Sequence, residues 1–185
     1  MDAINFTANH LRYVNIAKRS AEGYKPCRAS LVEMKSSNPG DVNAIDSTAE
    51  QWEDSLTAFV SSDMKKAARK KPKDNFHVYA ITTQKKDFDN INPEQILGVA
   101  HITENANGLG HKIEVLQTNP EYMFDRSTTA KREYKNVGKG LISFIKENFN
   151  DKPLYLYPTK DAVKFYEKQG FSSEKVLDSR YMFYV

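Results

Sequence analysis

Between residues 45 and 67 apolar side chains recur every three or four positions: Ile45, Ala49, Trp52, Leu56, Phe59 with Val60, Met64 and Ala67. That spacing matches the 3.6-residue turn of an α-helix, and predicts one long helix from about Asp46 to the Pro72 that stops it, with a single stripe against the core. Lys65, Lys66, Arg69, Lys70, Lys71 and Lys73 crowd its C-terminal end, where positive charge complements the helix dipole. Downstream the pattern changes to β-branched and aromatic runs. Phe76 to Thr82, Gln95 to Thr103 and Lys112 to Thr118 read as three strands, the last two joined by a hairpin loop over residues 105–110. Gly98 weakens its strand unless another group approaches closely there. Upstream, Ala29 to Lys35 reads as a strand ended by the turn-rich loop Ser36 to Asp41. Over residues 1–28, Ile4, Ala8, Leu11, Ile16 and Ala17 suggest an amphipathic helix, diluted by Gly23 and Pro26.

A polar loop of about fifteen residues, Pro120 to Tyr134, follows the third strand, a length that is often functional inside a compact domain. Gly138 and Gly140 then open a run whose apolar positions, Val137, Leu141, Phe144 and Ile145, again have helical spacing, to about Phe149. Pro153 to Tyr157 is a short strand, and Asp161 to Gln169 a helix with Gly170 as its left-handed cap. Phe171 to Val176 and Arg180 to Val185 make a terminal hairpin. The glycine-led helix joins two strands expected to lie side by side and parallel, within a mixed α/β layout.

Composition narrows the class. At 185 residues the chain is expected to be a single domain, 1–185, with residues 1–28 as an N-terminal extension. No run approaches the ~18 apolar residues of a membrane span, and no leader pattern stands at the N-terminus, so a cytoplasmic location is expected. A single cysteine, Cys27, allows no intrachain disulfide and reads as a packed or surface thiol. The net charge of +3 is too small to imply nucleic acid but suits an anionic cofactor.

The run Lys135-Asn136-Val137-Gly138-Lys139-Gly140 is the candidate anion site, because a glycine turn leading into a helix N-terminus presents unpartnered N–H groups and the positive end of the dipole. An ordinary helix entry, with the glycines serving only the turn, is the alternative. Neither the nucleotide-hydrolase loop nor the dinucleotide fingerprint fits. The pattern Gln/Arg-x-x-Gly-x-Gly/Ala does, with Lys135 in the first position, and it resembles the acetyl-coenzyme A loop of the GNAT superfamily of N-acetyltransferases. A second segment, Ala162-Val163-Lys164-Phe165-Tyr166-Glu167-Lys168-Gln169-Gly170-Phe171, is similar to that superfamily's recurrent Ala-x-x-Phe-Tyr-x-Lys-x-Gly-Phe. The two motifs come in the family's order, with a strand between them.

The resemblance implies an α/β (α+β) fold: a GNAT-like mixed, mostly antiparallel sheet flanked by helices on both faces, with a splayed parallel strand pair at the cofactor site. It implies acetyl-coenzyme A as cosubstrate, no metal, and direct transfer of the acetyl group to a primary amine. The backbone of Val137, Gly138, Lys139 and Gly140 would cradle the pyrophosphate, with Lys135 and Lys139 adding charge. Leu116, Gln117 and Thr118 would pair with the pantetheine arm. Tyr166 would donate to the departing thiolate, a phenol near 10 facing a thiol of similar basicity, and Glu114 would be the base. His101 and His111, each by a strand end and expected to be exposed, and Asp125 with Arg126 in the long loop, are weaker candidates. Lys135 in place of Gln or Arg keeps a cation but loses the planar fork. Thr159 and Lys160 stand where many members carry an Asn. The acceptor is left open among a small amine, an amino acid or antibiotic, a protein amine, and charged tRNA, the one nucleic acid left open. A homodimer is allowed, and a non-catalytic coenzyme A binder with the same fold is the competing reading.

Overall fold

The computed structural model describes residues 8–69, 75–104, 106–120, 132–176 and 179–184. Nine strands form one sheet: β1 (Asn9–Ser20), β2 (Gly23–Met34), β3 (Phe76–Thr82), β4 (Ile96–Thr103), β5 (His111–Thr118), β6 (Tyr134–Lys135), β7 (Leu154–Leu156), β8 (Ser172–Val176) and β9 (Ser179–Tyr184). Their order is β6-β1-β2-β3-β4-β5-β7-β9-β8. Neighbours run antiparallel except β5 and β7, which are parallel and joined through α3 (Val137–Asn148). Helices α1 (Pro39–Trp52) and α2 (Ser55–Arg69) cover one face, and α3 with the short α4 (Val163–Lys168) covers the other. The mixed, mostly antiparallel architecture is therefore as the sequence predicted.

β3 and β4 are buried between the two helical layers, which is why they read as nearly continuous apolar runs, while β5 alternates buried and half-buried positions. On α3, Leu141, Ile142 and Ile145 are fully buried, each worth roughly 1.5–3 kcal/mol of hydrophobic stabilisation. Gly98 on β4 makes room for them: a Cβ there would lie 2.7 Å from Val137 Cγ1 and 3.3 Å from Leu141 Cδ1.

Three elements differ from the sequence reading. Residues 9–34 form a long hairpin, β1 paired to β2 from Asn9↔Glu33 to Ser20↔Gly23, not an amphipathic helix. The helical reading passes over Val14, which with Ile16 faces the core while Tyr13 and Asn15 face out, a period of two. Residues 1–7 lie outside the described residues. The predicted long helix is two. Asn38 accepts from the Gly40 N–H at 2.9 Å and Pro39 occupies the first turn, so α1 begins inside the stretch read as a loop. It ends at Glu53 in the left-handed conformation (φ 48°), and Asp54 then caps α2 by accepting from the Thr57 N–H at 2.7 Å. The apolar stripe does not survive this break. Leu56 and Phe59 are 43% exposed, while Thr57, Val60 and Met64 face the core.

Candidate active site

β5 and β7 pair over only three positions, His111↔Leu154, Lys112↔Tyr155 and Ile113↔Leu156. β7 then ends, whereas β5 runs on to Thr118 beside β4. The parting has a local cause. Ile102 on β4 faces Ile113 and the preceding His101 faces Val115, so Glu114 is an inserted residue, a β-bulge. A bulge bends its strand and increases twist. Accordingly Ile113 packs in the α3–α4 layer and Val115 in the α1–α2 layer, and Leu116 returns to the α3 side. Pairing between the two strands thus ends at Ile113 and Leu156, and beyond that apex a gap opens beside β5.

The mouth of that gap lies at the start of α3. Asn136 precedes the helix in the left-handed conformation (φ 68°) and makes no side-chain cap. Gly140 N–H already donates to the Asn136 carbonyl at 2.9 Å, so Val137, Gly138 and Lys139 supply the N–H groups that helix geometry leaves without a partner in the helix. A Cβ on Gly138 would lie 3.6 Å from Thr118 Cγ2 and 3.5 Å from Phe165 Cζ. Gly138 thus stands between the end of β5 and α4. Gly140 faces the sheet instead, where a Cβ would lie 3.1 Å from Ile81 Cδ1. The two glycines have different surroundings: Gly138 faces the end of β5 and α4, and Gly140 packs on the sheet.

The two lysines of the motif have other neighbours. Lys135 lies on β6, with its ammonium 3.6 Å from the centroid of the Tyr24 ring. Lys139 lines a cavity of about 310 Å³ between α3 and β1, together with Arg12, Asn15 and Ser143. The larger cleft, about 720 Å³, separates α1 from α2 and includes no residue of β5, α3 or β7.

Tyr166 is buried in the α3–α4 layer, its ring edge-on to Phe165 and Phe171 at 5.1 and 5.8 Å. Burial pushes its phenol up to about 12. Burial thus lifts the phenol above the value near 10 expected from the sequence. A phenol raised in this way holds its proton more tightly than a free tyrosine, so it is a hydrogen-bond donor rather than a ready source of a proton. Glu114, on the bulge, is engaged by Lys112 Nζ at 2.7 Å on the α1–α2 side. Glu114 and Tyr166 therefore belong to opposite faces of the sheet.

Neither histidine is exposed as predicted. His101 is 1% exposed, with Phe76 and Phe59 rings at 5.0 and 5.8 Å, and burial lowers its pKa against the opposing charges of Asp63 and Glu114. His111 is also buried, and its Nε2 lies 2.8 Å from Asp151 Oδ1. Asp125 and Arg126 lie outside the described residues. Among the described residues no group of three or more metal-ligating side chains comes together, and no helix is long and apolar enough to cross a membrane.

No family model and no curated protein sequence matches the chain. Solved structures do. The aminoglycoside 6'-acetyltransferase type Ii superimposes with a TM-score of 0.53 at 15% identity, over 84% of this chain and 96% of that one. An acetyltransferase of the GNAT family from Staphylococcus aureus Mu50 gives 0.49 at 15% identity, over 84% and 97%. An N-acetyltransferase of Bacillus subtilis, solved with coenzyme A, gives 0.41 at 14%, over 68% and 80%. The first of these likenesses shows the fold alone: the chain folds like the aminoglycoside 6'-acetyltransferase.

Proposed function

We propose that the chain is an acetyl-coenzyme A dependent N-acetyltransferase acting on a primary amine. The observation that carries this reading is the parallel β5–β7 pair that parts at a bulge, with the N-terminus of α3 at the open end beside Thr118. Such a gap takes an extended arm, and the helix entrance takes its anionic end. From Thr118 back to Glu114 is four residues, about 13 Å at the rise of a strand, so the arm's far end comes to the apex.

Bound acetyl-coenzyme A supplies an activated thioester, to which a neutral amine adds with loss of the thiol. The chain's residues divide the remaining tasks. Val137, Gly138 and Lys139 hold the pyrophosphate through backbone N–H groups, and Leu116, Gln117 and Thr118 line the arm. Given the contacts of Lys135 and Lys139, their positive charge contributes a field rather than a direct contact. Glu114 takes one proton from the acceptor's ammonium group on the α1–α2 face, freeing the lone pair that attacks the carbonyl carbon. Tyr166, from the opposite face, donates a hydrogen bond to the sulfur as the C–S bond breaks, and the second amine proton leaves with the thiol or to water.

The test is release of coenzyme A thiol on incubation with acetyl-coenzyme A and a panel of amines, with N-acetyl products identified by mass. Glu114→Gln is expected to lower kcat/KM at least tenfold, about 1.4 kcal/mol, with acetyl-coenzyme A binding retained. Binding without turnover on any amine would favour the non-catalytic coenzyme A binder.

A further inference from the structure

The α1–α2 face of the apex carries a group of side chains that cofactor binding does not use. His101 is its floor: both ring nitrogens are buried and, among the described residues, neither has a hydrogen-bond partner. With both nitrogens closed to solvent, His101 gives the floor a polar ring that is not itself reached from the surface. Phe59 stands over His101 at 5.8 Å between ring centroids, Leu56 lies three residues before it on the same side of α2, and both expose 43% of their surface. One turn further on, Asp63 faces the same histidine, as Glu114 does from β5. Both carboxylates keep about a quarter of their surface in solvent, and each is held by a lysine, Lys66 at 3.2 Å and Lys112 at 2.7 Å.

Two large apolar side chains left exposed beside a buried histidine and two carboxylates form a surface with distinct preferences. The carboxylates suit a single ammonium group. The lysines beside them cancel the excess negative charge that would gather a polycation. The apolar pair suits a ring or branched chain next to that ammonium.

From this we infer that Phe59, Leu56 and Asp63 form the acceptor subsite, over His101, and that they select a monoamine bearing an adjacent aromatic or branched apolar group in preference to a polyamine or an aminoglycoside. The inference rests on the acetyltransferase reading and names its substrate class. Free arylalkylamines and apolar amino acids share this chemistry. Lys112 could meet the carboxylate of the second group only.

The experiment measures kcat/KM of the full chain for ethylamine, phenethylamine, phenylalanine and spermidine, alongside acetyl-coenzyme A binding by calorimetry. An apolar group in a fitted pocket is worth ten- to two-hundredfold. Phenethylamine or phenylalanine is therefore expected to exceed ethylamine and spermidine at least tenfold, and whichever wins identifies the source. Phe59→Ala should collapse the ratio of phenethylamine to ethylamine by tenfold or more, mainly through KM, with acetyl-coenzyme A binding unchanged. Phe59→Leu, which keeps an apolar side chain and guards against a folding artefact, should restore part of it. A preference for spermidine, an unchanged ratio in Phe59→Ala, or binding of acetyl-coenzyme A with no turnover on either apolar amine overturns the inference alone. Absence of acetyl-coenzyme A binding overturns the enzyme reading with it.

Discussion

Replacing each motif glycine by alanine separates a ligand role from a packing role. At Gly138 the added Cβ would meet Phe165 and Thr118 at 3.5 and 3.6 Å, ordinary van der Waals distances, so the fold accommodates it. Alanine also favours the helix by up to about 1 kcal/mol over glycine, which raises the melting midpoint of a chain this size by roughly 2–4 °C. The same Cβ projects into the mouth of the gap. A phosphate oxygen held about 2.9 Å from the neighbouring N–H groups would have to retreat from it, and Gly138→Ala should lose at least tenfold in acetyl-coenzyme A affinity, about 1.4 kcal/mol. At Gly140 the outcome reverses. The Cβ meets Ile81 Cδ1 at 3.1 Å inside the core. Overpacking of about 1–3 kcal/mol outweighs the helix gain, so the midpoint falls while acetyl-coenzyme A still binds. Calorimetric titration and thermal unfolding of both variants are the assays. Full affinity in Gly138→Ala would refute the reasoning, since the backbone at Gly138 would then not be approached by ligand.

Three further outcomes follow from the structure. Tyr166→Phe should lower kcat about tenfold with acetyl-coenzyme A affinity retained, and, because burial lifts the phenol to about 12, the parent's rate profile should show no alkaline limb from this group below about pH 11; such a limb lost in the variant would contradict that. Gly98→Ala should destabilise by about 1–3 kcal/mol through its clash with Val137 and Leu141, read as a lowered denaturant midpoint with unchanged slope. His77 lies between Glu33 Oε1 at 3.0 Å and Glu104 Oε1 at 2.7 Å, and its pKa is raised chiefly by Glu33. The folded state therefore holds this proton more tightly than the unfolded one, so the stabilisation is full below the ordinary 6.5 and is lost as pH rises through the raised value. Chemical denaturation between pH 6 and 8.5 should show stability falling in the parent and a flatter profile in His77→Gln; parallel profiles would contradict the assignment.

The elements around the glycine turn were legible because they are local in sequence. A glycine turn, a helix and a short strand lie within about twenty residues, and Gly138, Thr118 and Phe165 meet where the order of elements brings them. The surroundings of Glu114 and Phe59 were not. The bulge at Glu114 leaves no residue signature, since it is defined by which partner each residue meets across β4. Leu56 and Phe59 fitted the core stripe by spacing, and only the turn at Glu53 and Asp54 rotates them outward. A sequence signal for that turn was available: Asp54 three residues before Thr57 is a capping pattern. Asn38-Pro39 likewise announced the start of α1, and was read as loop because helical spacing becomes evident only from Ile45. The hairpin β1–β2 was missed because a few widely spaced apolar residues satisfy either period until Val14 is counted.

The most direct test of the cofactor site is an amide-resolved NMR titration of the chain with coenzyme A. Binding at the parted strands predicts shifts concentrated at Val137, Gly138, Lys139 and Leu116 to Thr118, with smaller ones at Tyr166 and Glu114. Shifts confined to the α1–α2 cleft or the β1–β2 hairpin, or none at saturating coenzyme A, would contradict it and leave the glycine turn as an ordinary helix entry.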